Sequence, residues 1–277
     1  MPRTIRTLSP NEVETLVDWA AAEGWNPGLD DAAVFRAADP EGFIGAFVDG
    51  EMVAGISAVA YGDDFGFIGL YICRLDRRGE GHGKVVWDAG MARLAGRTIG
   101  LDGVAEQQAN YRRMGFVPAY DTVRYSGPTA TLASPSDVRS VTPEDVSDIL
   151  AYDRNCFPAP RQSFLQGWLQ PPRRVLMAVN AGRVSGYGVA RRCRDGFKIG
   201  PLFADDKEVA LRLLAGLANL PGTDALHIDV PAGNSGFAAA LEAAGFSANF
   251  TTTRMYKGTA PGITPSGIFG ITTLELG

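Results

Sequence analysis

A helix-like pattern of apolar residues follows the first predicted strand, 4–8, near the start of the chain. The segment Ser9-Pro10-Asn11-Glu12 supplies an N-cap, a first-turn proline and a capping-box glutamate. The apolar positions that follow recur every three or four residues, which predicts an amphipathic helix. These positions are Val13, Leu16, Val17 and Ala20. A second, shorter helix is predicted over 32–38.

Apolar runs without helical spacing dominate the next part of the chain. Residues 43–48 and 52–61 flank Asp49-Gly50, which predicts a hairpin because an Asp-Gly turn matches the twist of paired strands. Strand-like and helix-like segments then alternate. We predict strands over 65–73, 98–101 and 116–125, with helices over 85–94 and 105–114. This order is typical of an α/β protein with a mixed sheet.

The second half of the chain repeats this order of elements. A hairpin is again predicted, over 175–191, and Gly245-Phe246 matches Gly115-Phe116. The repeat predicts two tandem domains, 1–127 and 138–277, joined by a short linker rich in Pro, Thr, Ala and Ser. A final strand is predicted over 268–276, without an assignment to either domain.

Composition narrows the class of protein. The 277 residues are 45% hydrophobic and 21% charged, which suits a globular protein with a full core. No apolar run reaches membrane-span length and no signal-peptide core is present, so we expect a cytoplasmic protein without a membrane partner. The net charge of −5 argues against a nucleic-acid partner. With three cysteines and two histidines, neither a disulfide framework nor a metal site is predicted.

A glycine-rich turn, Arg77-Arg78-Gly79-Glu80-Gly81-His82-Gly83-Lys84, joins a predicted strand to a predicted helix. Backbone amides at a helix N-terminus favour anions, and phosphates above all. The spacing is neither that of a Walker P-loop nor that of the dinucleotide-binding glycine motif. Taken alone, the segment is equally consistent with a simple tight turn that needs glycine.

Charge is distributed unevenly around this turn. Residues 1–65 carry twelve acidic side chains against three arginines, whereas residues 74–84 are mainly basic. An acidic lobe beside a basic turn suits a cationic substrate that meets an anionic cofactor. A solvated surface pattern remains the alternative for the acidic part.

Two motifs in the predicted order of elements resemble the GNAT superfamily of N-acetyltransferases. They are Arg78-x-x-Gly81-x-Gly83 and Tyr111-x-x-x-Gly115-Phe116, and the resemblance covers residues 1–127. It implies that the first domain transfers an acetyl group from acetyl-CoA to a primary amine. A non-catalytic protein that senses acyl-CoA is the alternative.

The resemblance also implies where the cofactor binds. The strand edge at Tyr71, Ile72 and Cys73 would pair with the pantetheine arm and polarise the thioester carbonyl. The glycine turn would hold the diphosphate. Residues assigned to the diphosphate or its surroundings are Arg78, Gly79, Gly81, His82, Gly83, Lys84 and Asn110, the last with solvent exposure as the alternative.

Tyr111 is the candidate general acid, since phenol and thiol pKa values lie close enough for proton transfer to the leaving thiolate. Its alternative role is that of a core aromatic. The general base is left open between Asp102 at a strand end and Asp63 or Asp64 before the preceding strand. A local backbone hydrogen bond is the alternative for Asp102. Cys73 is interpreted as a small strand residue and not as a nucleophile.

The resemblance implies an acceptor pocket near Trp25 and Asn26. The acidity of this region favours a small cationic amine, with peptide or protein amines as the alternative. A monomer and a homodimer are both compatible with the sequence.

The second half lacks the glycine turn. Its strand runs through Gly200-Pro201 to Asp205-Asp206, whose carboxylates would repel a diphosphate. Leu241 replaces Tyr111. We therefore interpret residues 138–277 as a degenerate domain that buries surface and shapes the acceptor cleft. Whether it adds Asp229, Asn234 or Arg254 to that cleft is left open.

Overall fold

The computed structural model describes residues 3–128, 137–219, 225–263 and 265–277. The first half contains β1 (Arg3–Thr7), α1 (Pro10–Ala22), α2 (Asp31–Ala38), β2 (Phe43–Val48), β3 (Glu51–Tyr61), β4 (Phe65–Cys73), α3 (His82–Arg93), β5 (Thr98–Val104), α4 (Ala105–Arg113) and β6 (Val117–Gly127). Mixed α/β structure was expected from the alternating patterns, and it is confirmed. Most of the linker, 129–136, lies outside the described residues.

The same order of elements recurs in the second half. It contains β7 (Val138–Ser140), α5 (Val146–Asp153), α6 (Gln162–Trp168), β8 (Arg174–Asn180), β9 (Arg183–Arg192), β10 (Phe197–Ala204), α7 (Lys207–Ala218), β11 (Leu226–Pro231), α8 (Ser235–Ala243), β12 (Ser247–Lys257) and β13 (Ile268–Gly270). None of the helices in the described ranges is both long and apolar enough to cross a lipid bilayer.

The thirteen strands of the described residues belong to one sheet, in which the two halves exchange their last long strands. The strand order is β1-β2-β3-β4-β5-β12-β6-β11-β10-β9-β8-β7, with β13 paired to β10. Strand β12 of the second half pairs with β5 of the first, and β6 of the first half pairs with β11 of the second. The boundary after residue 127 is thus crossed by the sheet, and each half completes the other.

Strands β4 and β5 are parallel neighbours that separate towards their carboxyl ends. Their register runs only from Phe65↔Thr98 to Ile68↔Leu101. Beyond this register, β4 has a bulge opposite β3. Within the bulge, Leu70 has a φ of 45°, a left-handed backbone angle that is uncommon for residues other than glycine. The separation leaves a gap in the sheet.

The corresponding gap between β10 and β11 is filled by the end of the chain. Their pairing runs from Phe197↔Leu226 to Ile199↔Ile228, after which β13 pairs with β10. The amide of Ile271 then donates to the carbonyl of Asp229 at the end of β11, at 2.9 Å. An extended segment of this chain therefore occupies the second gap.

Residues 271–277 leave β13 and cross to the first half. The predicted strand over 268–276 is wrong in length, since only Ile268–Gly270 is strand. Ser57 Oγ donates to the carbonyl of Glu275 at 3.2 Å, and the Tyr61 hydroxyl donates to that of Leu276 at 3.0 Å. The tail thus joins both halves, which explains why its pattern fits neither domain.

Apolar and ionic contacts hold the halves together around α2 and α6. Phe35 of α2 stacks on Trp168 of α6, with ring centroids 6.1 Å apart. Nearby, the fully buried Asp31 accepts hydrogen bonds from Arg173 and Arg191 of the second half, at 3.2 and 3.1 Å. These contacts fix α2 against the second half.

Candidate active site

A cavity of about 600 Å³ opens where β4 and β5 separate. The first half lines it with residues 68–73 of β4, the end of β5, one face of α4, and the loop after α1. The second half contributes Phe250 and Thr252 of β12, and the C-terminal tail contributes Leu274 and Glu275. The exchange of strands thus makes the cavity a joint product of both halves.

The glycine turn lies at the N-terminus of α3, as its sequence predicts. Gly79 and Gly81 have φ values of 86° and 79°, a region that glycine enters without strain. Gly81 caps α3, which begins at His82. The first amides of an α-helix have no carbonyl partner within the helix, and the helix dipole favours negative charge there. The backbone of this turn is therefore suited to an anion.

The basic side chains near the turn are engaged elsewhere. Arg78 forms an ion pair with Glu23 at the end of α1, and its Nε donates to the carbonyl of Cys73 at 3.0 Å. Lys84 pairs with Asp88 on the outer face of α3. The buried His82 ring contacts Glu80, with Nε2 3.1 Å from Oε2. Of these residues, Arg78 lines the cavity.

The predicted cofactor edge of β4 lines the cavity at Tyr71, Ile72 and Cys73. A side chain at Gly83 would meet the Tyr71 hydroxyl, since an added Cβ would lie 2.9 Å from it. Burial raises the pKa of the Cys73 thiol, so this thiol stays protonated at neutral pH. That state agrees with the interpretation of Cys73 as a strand residue.

Tyr111 is both packed and available to the cavity. Its ring stacks on Trp87 at 5.5 Å and meets the edge of Phe116 at 6.2 Å. The residue lines the cavity, and its hydroxyl has no hydrogen-bond partner in the described part of the chain. Burial raises the pKa of this hydroxyl, with Tyr71 adding to the effect, so it remains protonated. A protonated, unpaired phenol can act as an acid.

Asp102 lies in a buried ion pair. Its side chain is fully buried, and its two oxygens accept hydrogen bonds from Arg254 of β12 at 2.8 and 2.9 Å. Burial alone would lower the pKa of Arg254, but the Asp102 carboxylate outweighs this effect and raises it well above its ordinary value. The carboxylate is therefore occupied, by a long-range ion pair and not by the local backbone bond that was its alternative role.

The other candidates for the base lie away from the cavity. Asp63 and Asp64 precede β4, whereas the cavity is at the opposite end of that strand. Asp63 is fully exposed, and its Oδ1 is 3.8 Å from Arg97. Proton transfer from a bound substrate requires hydrogen-bond contact, directly or through one water, which this position does not offer.

The two residues predicted for the acceptor have different surroundings. Trp25 lines the cavity, and its carbonyl accepts from Arg124 and Lys198 of β6 and β10, each at 3.2 Å. Asn26 instead exchanges hydrogen bonds with the backbone of Asp195, at 2.8 and 3.1 Å. Asn26 thus anchors the loop to the second half.

Asn110 faces neighbours on its own helix. Its Nδ2 donates to Gln107 at 2.7 Å, and its Oδ1 accepts from Arg113. Gln107 is on the cavity wall, and Asn110 is not. Any contact of Asn110 with a cofactor would require these bonds to rearrange.

Sequence reasoning missed Glu275. The residue lines the cavity, is 2% exposed, and both carboxylate oxygens are buried without a hydrogen-bond partner in the described ranges. Leu274-Glu275-Leu276 matches no motif. Its position depends on the path of the tail across both halves, for which the sequence carries no local signal.

The second half has no equivalent anion site at the start of α7. Asp206 caps that helix, accepting from the amide of Val209 at 2.8 Å, and Asp205 accepts from the Tyr152 hydroxyl at the same distance. Carboxylates therefore take the place that phosphates would need, while β13 fills the adjoining gap. This arrangement leaves the start of α3, in the first half, as the candidate anion site.

Comparison with known families places this fold among the acyltransferases. Residues 11–116 match the model described as Acetyltransferase (GNAT) family, and residues 149–270 match the model described as Acetyltransferase (GNAT) domain. The chain belongs to the GNAT family and carries two copies of its fold in tandem. The predicted tandem architecture is thus confirmed.

Similar proteins support this assignment. The chain is 34% identical to a protein named Holothin acyltransferase from Pseudoalteromonas sp. (strain SANK 73390), over 99% of this chain and 94% of that protein. A crystal structure of a putative acetyltransferase from Pyrococcus horikoshii has a TM-score of 0.84 at 24% identity, covering 99% of this chain and 96% of that one. A tandem GNAT protein from the clavulanic acid biosynthesis pathway has a TM-score of 0.62 at 15% identity, covering 94% and 100%.

Proposed function

We propose that this acyltransferase moves an acetyl group directly from acetyl-CoA to a primary amine of a small molecule. The observation that carries the proposal is the position of Tyr111 on a cavity that begins where β4 and β5 separate. Its hydroxyl has no hydrogen-bond partner among the described residues, and burial raises its pKa. A sensor that only binds acyl-CoA has no need of an acid at this point.

The way in which the second gap is filled supports placing the pantetheine arm in the gap between β4 and β5. In the second half, the corresponding gap holds an extended segment of this chain, paired through backbone amides and carbonyls. Pantetheine is also an extended chain with two amide groups. In the first half it would follow β4 at Tyr71, Ile72 and Cys73, with the diphosphate on the amides of the glycine turn.

Bound acetyl-CoA would supply the acetyl group as a thioester. In direct transfer, the amine attacks this carbonyl, the carbon–sulfur bond breaks, and Tyr111 gives its proton to the departing thiolate. An acetylated Cys73 is disfavoured because burial keeps its thiol protonated, and thiolate is the nucleophilic form. These features support direct transfer over a covalent intermediate.

The similarity to Holothin acyltransferase over nearly the whole chain supports a small-molecule acceptor and makes holothin the first amine to assay. Trp25, Phe250 and Leu274 give the cavity an apolar side that suits an amine with an apolar body. Transfer to a peptide amine is the alternative, and a cavity built of both halves supports it less than an open groove would.

The test is release of CoA thiol from acetyl-CoA in the presence of holothin, benzylamine, aniline, polyamines or an N-terminal peptide. We expect at least one small amine to raise thiol release above background, with a product heavier by one acetyl group in mass spectrometry. If no amine does so while acetyl-CoA still raises the melting temperature, the protein is a sensor. Acetylation of the peptide alone would support the peptide alternative.

A further inference from the structure

The buried carboxylate of Glu275 needs hydrogen-bond donors that the described chain does not supply. Both oxygens are buried and unpaired, although the residue lines the cavity. Leaving a buried carboxylate without donors costs free energy. A site that tolerates this cost in the free protein gains from a donor that arrives with a ligand.

The tail that carries Glu275 is firmly positioned. Before Glu275, the amide of Ile271 is bound to Asp229 and the Thr272 hydroxyl accepts from Arg161 at 2.8 Å. At Glu275 itself, the carbonyl oxygen lies against Gly69, where an added Cβ would be 2.1 Å from it. After Glu275, the amide of Leu276 donates to Thr273 Oγ1 at 2.9 Å. The backbone that carries the Glu275 side chain is therefore held at a defined point beside the cavity.

The cations that surround Glu275 already have other partners. Arg124 of β6 forms a bidentate pair with Asp229 of β11, at 2.7 and 2.9 Å. Arg191 of β9 is bound to Asp31 through Nε, while its Nη2 is buried without a hydrogen-bond partner in the described residues. Lys198 of β10 donates to the carbonyl of Trp25. Burial lowers the pKa of Lys198, and the Glu275 charge opposes that shift.

Asp102 of β5, which lines the same cavity, is paired with Arg254 of β12. None of these cations donates a hydrogen bond to the Glu275 carboxylate. Glu275 itself is one of the residues that line the cavity.

We propose that Glu275 binds the nitrogen of the acceptor amine and removes its proton, so that the C-terminal tail completes the active site. The inference rests on the proposed function. An acceptor ammonium gives one proton to a Glu275 oxygen, and the freed lone pair forms the bond to the acyl carbon as the carbon–sulfur bond breaks. Tyr111 protonates the thiolate and recovers a proton from the nitrogen of the new amide. The Glu275 proton then leaves to solvent.

This role defines the class of acceptor. The amine is charged in solution, so that it both needs a proton acceptor and is attracted by a buried carboxylate. Its body is apolar, since Trp25, Phe250 and Leu274 line the cavity with Glu275. A polyamine with several separated charges fits this wall less well than an amine with one charge.

The test compares Glu275→Gln with the wild type on benzylamine, which is charged at neutral pH, and on aniline, which is neutral. Loss of a general base lowers rates by about 100-fold or more. We therefore expect kcat/KM for benzylamine to fall by roughly 100-fold and that for aniline by less than about 10-fold, at unchanged acetyl-CoA affinity. Glu208→Gln makes the same change on the exposed face of α7 and should match the wild type on both amines.

Equal losses on both amines would show a purely structural role for Glu275, and wild-type rates in Glu275→Gln would show no role; either result overturns the inference while leaving the proposed function intact. If the wild type acetylates neither benzylamine nor any other amine, the proposed function fails and the inference fails with it. Should Glu275→Gln not fold, Glu275→Asp replaces it. The shorter side chain withdraws the carboxylate, and the same contrast between benzylamine and aniline is expected.

Discussion

Tyr111 has two roles that its sequence position presents as alternatives. The ring is packed between Trp87 and Phe116, and the residue still lines the cavity. Packing and chemistry support each other here, because the burial that holds the ring also raises the pKa of the hydroxyl and keeps it protonated.

Removing only the Tyr111 hydroxyl tests its role as the acid. Tyr111→Phe keeps the ring contacts, so we expect acetyl-CoA affinity and melting temperature to stay near wild type. Turnover should fall by about 100-fold or more, the usual effect of losing a general acid. Steady-state kinetics and isothermal titration measure the two quantities. Unchanged turnover would show that Tyr111 is only a packed core residue and not the acid.

Asp102 illustrates the opposite case, in which a promising sequence position turns out to be occupied. A carboxylate at a strand end beside the cleft can be recognised from local pattern. Its partner Arg254 is 152 residues away and reaches it through the exchanged strand β12. Asn26, Arg78 and Glu275 show the same limit, because long-range contacts decide their surroundings.

We expect Asp102→Asn to destabilise the protein by about 3–5 kcal/mol, because it leaves the Arg254 charge buried without a partner. Denaturant unfolding measures this loss, and the double variant Asp102→Asn/Arg254→Met should recover part of it. Normal stability combined with lost turnover would instead identify Asp102 as the base.

At the scale of elements, local sequence patterns predict those features whose structure depends on residues close together in the chain. The capping box before α1, the Asp49-Gly50 hairpin and the glycine turn before α3 all occur where predicted. The bulge at Leu70 and the divergence of β4 from β5 could not be predicted, since they depend on pairing between strands.

A matched pair of variants isolates the charge at the glycine turn. Asn and Asp have nearly the same shape and both tolerate the left-handed conformation of Gly81. We expect Gly81→Asn to weaken acetyl-CoA binding modestly and Gly81→Asp to abolish it, because a carboxylate would face the diphosphate. Isothermal titration with acetyl-CoA measures both. Asp205→Asn, in the second half, should leave affinity unchanged, and an equal loss there would contradict a single site.

On the scale of the whole molecule, the repeat in the sequence correctly indicated two copies of one fold. It could not show that β6 and β12 exchange places, because the two strands have similar patterns and either could pair with either half. The sequence also could not show that β13 fills the gap between β10 and β11. A three-residue strand near a chain end carries too little pattern to identify its partner.

Strand exchange makes the halves interdependent. We expect a fragment of residues 1–127 to fail to form a folded monomer, because β5 would lose β12 and present an open edge. Co-expression with residues 128–277 should restore a stable complex of both fragments. Size-exclusion chromatography and circular dichroism test both statements. A folded, monomeric 1–127 fragment would show that the exchange is dispensable.

The most direct test of one acyl-CoA site, made by the first half and completed by the second, is a crystal structure with acetyl-CoA soaked in. The account predicts density in the gap between β4 and β5, with the diphosphate on the amides of Gly79 to Lys84 and the thioester sulfur near the Tyr111 hydroxyl. Density that displaces β13 from β10, or a thioester remote from Tyr111, would contradict it.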